Sequence, residues 1–257
     1  MAIFLALASP ELLVEGLTII FGNASAEQCA RNAGKVLEVA GRADVPVAVG
    51  AAKPLVRPYH GRGDMVHGRD GLGETYLAAG RQVPQSRAVD FLISAVTASP
   101  QELTIIALGP LTNLALAVSL EPRLGEWVKD VIVMGGAATT RGNATPAAEA
   151  NIHNDPEAAR IVFHAGWPLT MVGLDVTHQV RLSPEDLNQL KAAASPVTEM
   201  ISSITPFYLN FARSARAGLD GIYVHDPTAV TYAISPHLFR TEQVYVDVEN
   251  EINDEGN

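Results

Sequence analysis

The apolar positions of this chain fall into short continuous runs separated by longer stretches of helical period. Leu17–Phe21, Val45–Val49, Leu103–Leu108, Val131–Gly136 and Leu169–Leu174 are nearly unbroken apolar runs. A strand with one wet face alternates apolar and polar residues, so unbroken runs predict strands covered on both faces. Between them, helical spacing governs Ala26–Val39, Ala88–Thr97, Leu111–Leu120 and Asp155–His164. Ser183–Arg216 reads as helical throughout, Asp226–Ala233 as a further helix and Val244–Val248 as a last strand. This alternation predicts an α/β fold, an open and mostly parallel sheet with helices on both faces.

No internal repeat or linker interrupts the pattern, so residues 1–257 read as a single domain. Ala51–Gln85, rich in glycine and charge, is too long for an idle connection and is a candidate active-site loop. Both ends look cut. An apolar helix, Ala2–Ala8, starts without an N-cap, and the polar run from Glu249 to Asn257 follows directly on the last predicted strand.

Composition narrows the function classes. With 18 basic against 28 acidic residues the formal charge is −10, a poor match for nucleic acid or an anionic membrane surface. A single cysteine, Cys29, excludes an internal disulfide and any multi-cysteine metal site, which suits a reducing cytosol. Its mid-helix position reads as a buried structural thiol. No apolar stretch approaches the ~20 residues of a membrane span, and the opening residues lack the basic start of a signal peptide. The expectation is a cytoplasmic protein with neither nucleic-acid nor membrane partners.

Dinucleotide, Walker, HExxH and GxSxG signatures are absent. In a doubly wound sheet, ligands bind outside the carboxyl ends of the strands, so the polar residues just after each strand carry the weight. Taken singly they have plain structural readings. Asn23 suits a turn, Thr112 or Asn113 a helix cap, and Asp155-Pro156 and Asp226-Pro227 suit an N-cap followed by proline. Together they say more. Asn143, Glu149 and Asn151 place three hydrogen-bonding side chains within nine residues, a set suited to a polyhydroxylated ligand such as ribose. His225 beside Asp226 adds a titratable group and a hard oxygen ligand.

The runs Met134–Gly136, Gly142–Ile152, Asp155–Ala159, Gly173–Thr177 and Val224–Pro227, in this order, resemble the inosine-uridine-preferring nucleoside hydrolases over nearly the whole chain. The resemblance implies a Rossmann-like nucleoside hydrolase fold and calcium-assisted cleavage of purine or pyrimidine ribonucleosides to ribose and free base. It also implies a homodimer or homotetramer. Carried over by motif, Asp226 and the backbone carbonyl of Leu108 would be calcium ligands. Asn23, Met134, Asn143, Glu149 and Asn151 would line the ribose site, and His67 would belong to the loop that closes over the substrate. His225 would be the catalytic acid, an imidazole near its ordinary pKa protonating the leaving base around neutrality.

Three departures stand out. The family's aspartate cluster, which supplies the catalytic base and most calcium ligands, would precede Met1-Ala2-Ile3 and is not in the sequence, nor is the central strand that carries it. Calcium binding by this chain should therefore be weak or absent. The family's C-terminal strands and helix are absent too. Ala150 stands where many members carry an aromatic; Phe207 and Tyr208 are candidates to replace that contact, although two aromatics in one helix more often pack in the core. The alternative reading is a catalytically incomplete protein of the same fold that binds a nucleoside or a sister subunit.

Overall fold

The structure, a computed structural model, describes residues 1–59, 61, 63–80, 86–216 and 218–250. Positions 60, 62 and 81–85 of the candidate loop, and 251–257 of the polar tail, lie outside them. The first half of the chain runs α1 (Ala2–Ala8), β1 (Leu17–Ile19), α2 (Ala26–Val39), β2 (Val47–Val49), α3 (Asp64–His67), β3 (Ser86–Arg87), α4 (Ala88–Ala98), β4 (Thr104–Ala107), α5 (Thr112–Leu120) and α6 (Leu124–Trp127). The second half runs β5 (Asp130–Met134), α7 (Ala150–Asn154), α8 (Pro156–Phe163), β6 (Leu169–Val172), α9 (Leu174–Thr177), β7 (Arg181–Leu182), α10 (Pro184–Ala192), α11 (Pro196–Ala215), β8 (Ile222–Tyr223) and α12 (His225–Ile234).

Parallel pairing joins β1, β2 and β3 into one three-stranded sheet and β4, β5 and β6 into another. Strand β5 shows why its sequence is continuously apolar. Val131 and Val133 enter a core with α4, α5 and α8, while Ile132 and Met134 enter a second core with Leu174 and Ala229 of α9 and α12. Both faces are dry, so neither set of alternate positions tolerates a polar side chain.

Among the described residues no strand pairing joins the two parallel triplets. Asn113 bridges them instead. Its Nδ2 donates to the Ile19 carbonyl at 3.0 Å and its Oδ1 accepts from the Ala51 amide at 2.9 Å. Gly50 makes room, because a Cβ there would lie 2.1 Å from the Asn113 side chain. Asn113 is thus a tertiary fastener and not the cap its position suggested. Thr112 likewise donates to Asp155 at 2.6 Å, and Asp155 accepts from the Ala158 amide as the N-cap of α8, ahead of Pro156.

Two expected elements differ. The helical stretch 183–216 is broken between α10 and α11, where Ala194 adopts a left-handed φ of 47° and Ser195 caps the next helix. Val244–Val248 forms no strand. Side chains hold that segment in place of a ladder: Val248 is buried in the α5/α8 core, Tyr245 meets His164 at 3.1 Å, and Asp247 pairs with Arg160 at 3.5 Å.

Candidate functional site

The carboxyl ends of β4 and β5, the start of α12 and the loop carrying α3 converge on one region. Its better-knit side is built on β5. Asn151 donates from Nδ2 to the Met134 carbonyl at 2.9 Å, fixing α7 against the strand end. Glu149, only 3% exposed, is the N-cap of α7. Its Oε2 accepts from the amides of Gly136, Asn151 and Ile152 at 2.9–3.1 Å, and none of these bonds falls on Oε1. Burial raises the Glu149 pKa, and the backbone amides oppose that rise. Asn143, on the exposed loop before α7, accepts from the Ala150 amide at 2.8 Å. The structure therefore gathers Met134, Asn143, Glu149 and Asn151 into one cluster, and most of their bonds hold the cluster itself.

Asp226 lies in the first turn of α12, one residue past the helix start, and Val224 occupies the N-cap position. The capping role its Asp-Pro sequence suggested is not realised. Burial pushes its carboxyl up to about 7, and the nearby Glu149 adds to the rise while the Met1 amino group opposes it. Leu108, just past β4, packs into the core it shares with Met134 and with Ala229 of α12, the helix that carries Asp226 in its first turn.

The second side is aromatic. The His67 ring, at the end of α3, stacks on Tyr208 of α11 with centroids 5.5 Å apart and planes 22° apart. Tyr208 thus presents a ring beside His67, while Phe207 lies against the loop glycine Gly73. The His225 ring sits 5.6 Å from that of His178 and 5.7 Å from Tyr223. Its Nδ1 lies 2.7 Å from the Thr177 hydroxyl. Burial lowers both His67 and His225 to about 4, and for His225 the neighbouring His178 and His67 add to the effect. The imidazole expected near its ordinary pKa is therefore neutral at pH 7, because a cationic ring would lose water without gaining an anionic partner. Burial, with Asp226 and Tyr223 nearby, raises Tyr208 to about 12.

The Asn23 side chain is exposed and has no described bond, but its backbone abuts Gly63 at the start of α3, where a Cβ would lie 2.0 Å from the Asn23 carbonyl oxygen. Sequence reasoning overlooked Thr177, His178, Tyr223 and Asp70. Asp70 is 8% exposed, and its carboxylate accepts from the amides of Leu72, Glu74 and Tyr76 at 2.7–2.9 Å, folding the loop that follows His67. A signal existed for Thr177, which closes the motif Gly173–Thr177. Nothing in the sequence marked Tyr223 or His178. Cys29 is half-buried against the Ala24 carbonyl, with its thiol pKa raised by burial, in keeping with an inert structural role.

Comparisons with known proteins agree. The family described as inosine-uridine preferring nucleoside hydrolase matches residues 1–256. Uridine nucleosidase 1 of Arabidopsis thaliana is 41% identical over 98% of this chain and 75% of its own length. The pyrimidine-specific ribonucleoside hydrolase RihA of Citrobacter koseri is 41% identical over 97% of this chain and 80% of its own. Among solved structures, the plant nucleoside hydrolase PpNRh1 superposes with a TM-score of 0.90 at 44% identity, covering 93% of this chain and 76% of that one. A purine-preferring ribonucleoside hydrolase from Gardnerella vaginalis gives 0.93 at 33% identity, covering 96% and 80%. A fold and a site of this build, with relatives this near over almost every residue, make the chain a nucleoside hydrolase of the inosine-uridine-preferring family.

Proposed function

We propose that the protein cleaves the N-glycosidic bond of ribonucleosides, uridine foremost, to give ribose and free base. One arrangement carries the reading. A polar cluster on β5 and α7, fit for sugar hydroxyls, and the half-buried rings of His67, Tyr208 and His225 lie within electrostatic reach of one another around Asp226, whose charge acts on Tyr208 and is acted on by Glu149. Uridine comes first because the relatives named for uridine or pyrimidines reach 41–43% identity, while the purine-preferring one stands at 33%.

In the net reaction the C1′–N bond breaks with its electron pair going to the base. Water supplies the oxygen that bonds to C1′ and the proton that ends on the base nitrogen. Glu149 Oε1 and the Asn151 amide receive the ribose hydroxyls. Asn143, Met134 and Asn23 border them. Tyr208 and His67 cover the base, and neutral His225 donates a hydrogen bond to the base as negative charge collects there.

The family likeness carries an expectation of calcium, which takes about six to eight oxygens. Asp226 and the Leu108 carbonyl supply few of these. Among the described residues no group of three or more His, Cys, Asp or Glu side chains is placed to share an ion. These residues do not form a calcium cage by themselves.

The test is direct. Purified protein incubated with uridine, cytidine and inosine should release ribose and base in equal amounts, uridine fastest. Nucleoside that binds by calorimetry without being cleaved would favour a catalytically incomplete nucleoside-binding protein. A pentose 1-phosphate formed only when phosphate is added would replace hydrolysis with phosphorolysis. A homodimer or homotetramer in the cytoplasm belongs to the same reading and is checked by light scattering and cell fractionation. No helix among the described residues is long and apolar enough to cross a membrane.

A further inference from the structure

We infer that Thr177 is a positioning residue that holds His225 in the tautomer with its proton on Nε2, the form able to donate to a departing base. The inference rests on the reading of His225 as that donor. Thr177 ends α9 and is fully buried. Its amide is already bonded to the Gly173 carbonyl at 3.0 Å, and its hydroxyl has one described partner, His225 Nδ1, at 2.7 Å.

Burial decides the direction of that bond. If Nδ1–H donated to the hydroxyl, the hydroxyl's own proton would be left without a described acceptor. A buried donor left unpaired gives up its bonds to water with nothing in return. If the hydroxyl donates to Nδ1, its proton is satisfied and only a lone pair goes unused. The imidazole then carries its proton on Nε2, which makes no hydrogen bond among the described residues. The rings of His178 and Tyr223, 5.6 and 5.7 Å away, limit the ring's freedom to turn over. A serine would preserve this bond. A valine, nearly the same shape, would remove the hydroxyl alone.

The experiment combines histidine side-chain NMR at pH 8.5, where imidazoles are neutral, with steady-state kinetics. The His225 signal is assigned from its loss in His225→Gln. In the unaltered protein His225 should show the Nε2–H pattern. Thr177→Val should turn it into a mixture of tautomers and lower kcat on uridine by about 10- to 100-fold, the usual cost of losing the partner that orients a functional imidazole. KM should hardly move, and a riboside with a nitrophenyl leaving group should be cleaved at nearly the original rate. Thr177→Ser should restore both the pattern and the rate.

An Nδ1–H pattern in the unaltered protein overturns the inference, and that measurement needs no variant to fold. So does a Thr177→Val protein that keeps the Nε2–H pattern. If instead the pattern behaves as expected but His225→Gln spares uridine cleavage, the donor role of His225 fails while its tautomer control stands.

Discussion

The two sides of the site are held by different forces. On the sugar side, Glu149 and Asn151 are tied to β5 and α7 by hydrogen bonds of 2.9–3.1 Å. On the aromatic side, His67, Tyr208, His178, Tyr223 and His225 meet mainly as rings with centroids 4.8–5.7 Å apart, and two directional contacts, Thr177 to His225 and Arg216 to the Tyr223 hydroxyl, both measure 2.7 Å. Burial acts on both sides in the same sense, toward neutrality. It raises the carboxyls of Glu149 and Asp226 and lowers the imidazoles of His67 and His225. A sugar presents a fixed set of hydroxyls and rewards a rigid polar frame. A base presents a flat face, which ring surfaces accept over a wider range of positions. On the proposed reading, the sugar is held tightly by this frame and the choice of base falls to aromatic packing.

The largest expected effect tests the donor. His225→Ala should lower kcat on uridine by about 10²–10³, the range for removing one donor to developing charge. Cleavage of a nitrophenyl riboside should fall far less. Equal losses on both substrates would reduce His225 to packing.

The pH response of stability should separate the two sides by sign. The folded Asp226 carboxyl stands at about 7, above its ordinary 3.8, so its penalty is absent in acid and grows as pH rises through that window. Asp226→Asn should raise the melting temperature at pH 8, by a few kcal/mol at most in stability, and change little at pH 4. The folded His67 stands at about 4, below its ordinary 6.5, so stability is lost as pH falls between those values. His67→Phe should therefore stabilise the protein at pH 4.5 and not at pH 8. Melting curves across pH that shift both variants the same way would remove the contrast.

Smaller effects sharpen it. Glu149→Gln keeps a carbonyl oxygen for the amides of Gly136, Asn151 and Ile152, and should cost about 1–3 kcal/mol in kcat/KM with little change in melting. Glu149→Ala should lose melting temperature as well, since α7 loses its cap. Identical melting for the two would mean the cap bonds contribute nothing. The smallest effect is expected at Tyr208→Leu, which should weaken KM by about 0.5–1.5 kcal/mol through the lost ring stack and spare kcat.

The local features of this fold were legible in the sequence wherever one residue type has one local use. The unbroken apolar run Val131–Met134 announced a strand buried on both faces, because only a fully covered strand dispenses with polar positions. Asp155-Pro156 announced a helix start, since Asp accepts the free amides there and proline has none to lose. The cluster of Asn143, Glu149 and Asn151 was visible because its members are near neighbours in the chain.

Only the tertiary structure decided the rest. Val244–Val248 has strand-like residues, but whether it pairs depends on an available edge, and Arg160 of α8 with His164 just past its end hold it instead. Asn113 looked like a cap, and only the meeting of β1 with residue 51 makes it a bridge. Thr177 and His225 lie 48 positions apart, and no spacing rule joins them. The charge states of His67, His225 and Asp226 were likewise beyond the sequence. A pKa answers to the water removed from around a group, and that loss is set by which distant segments close over it.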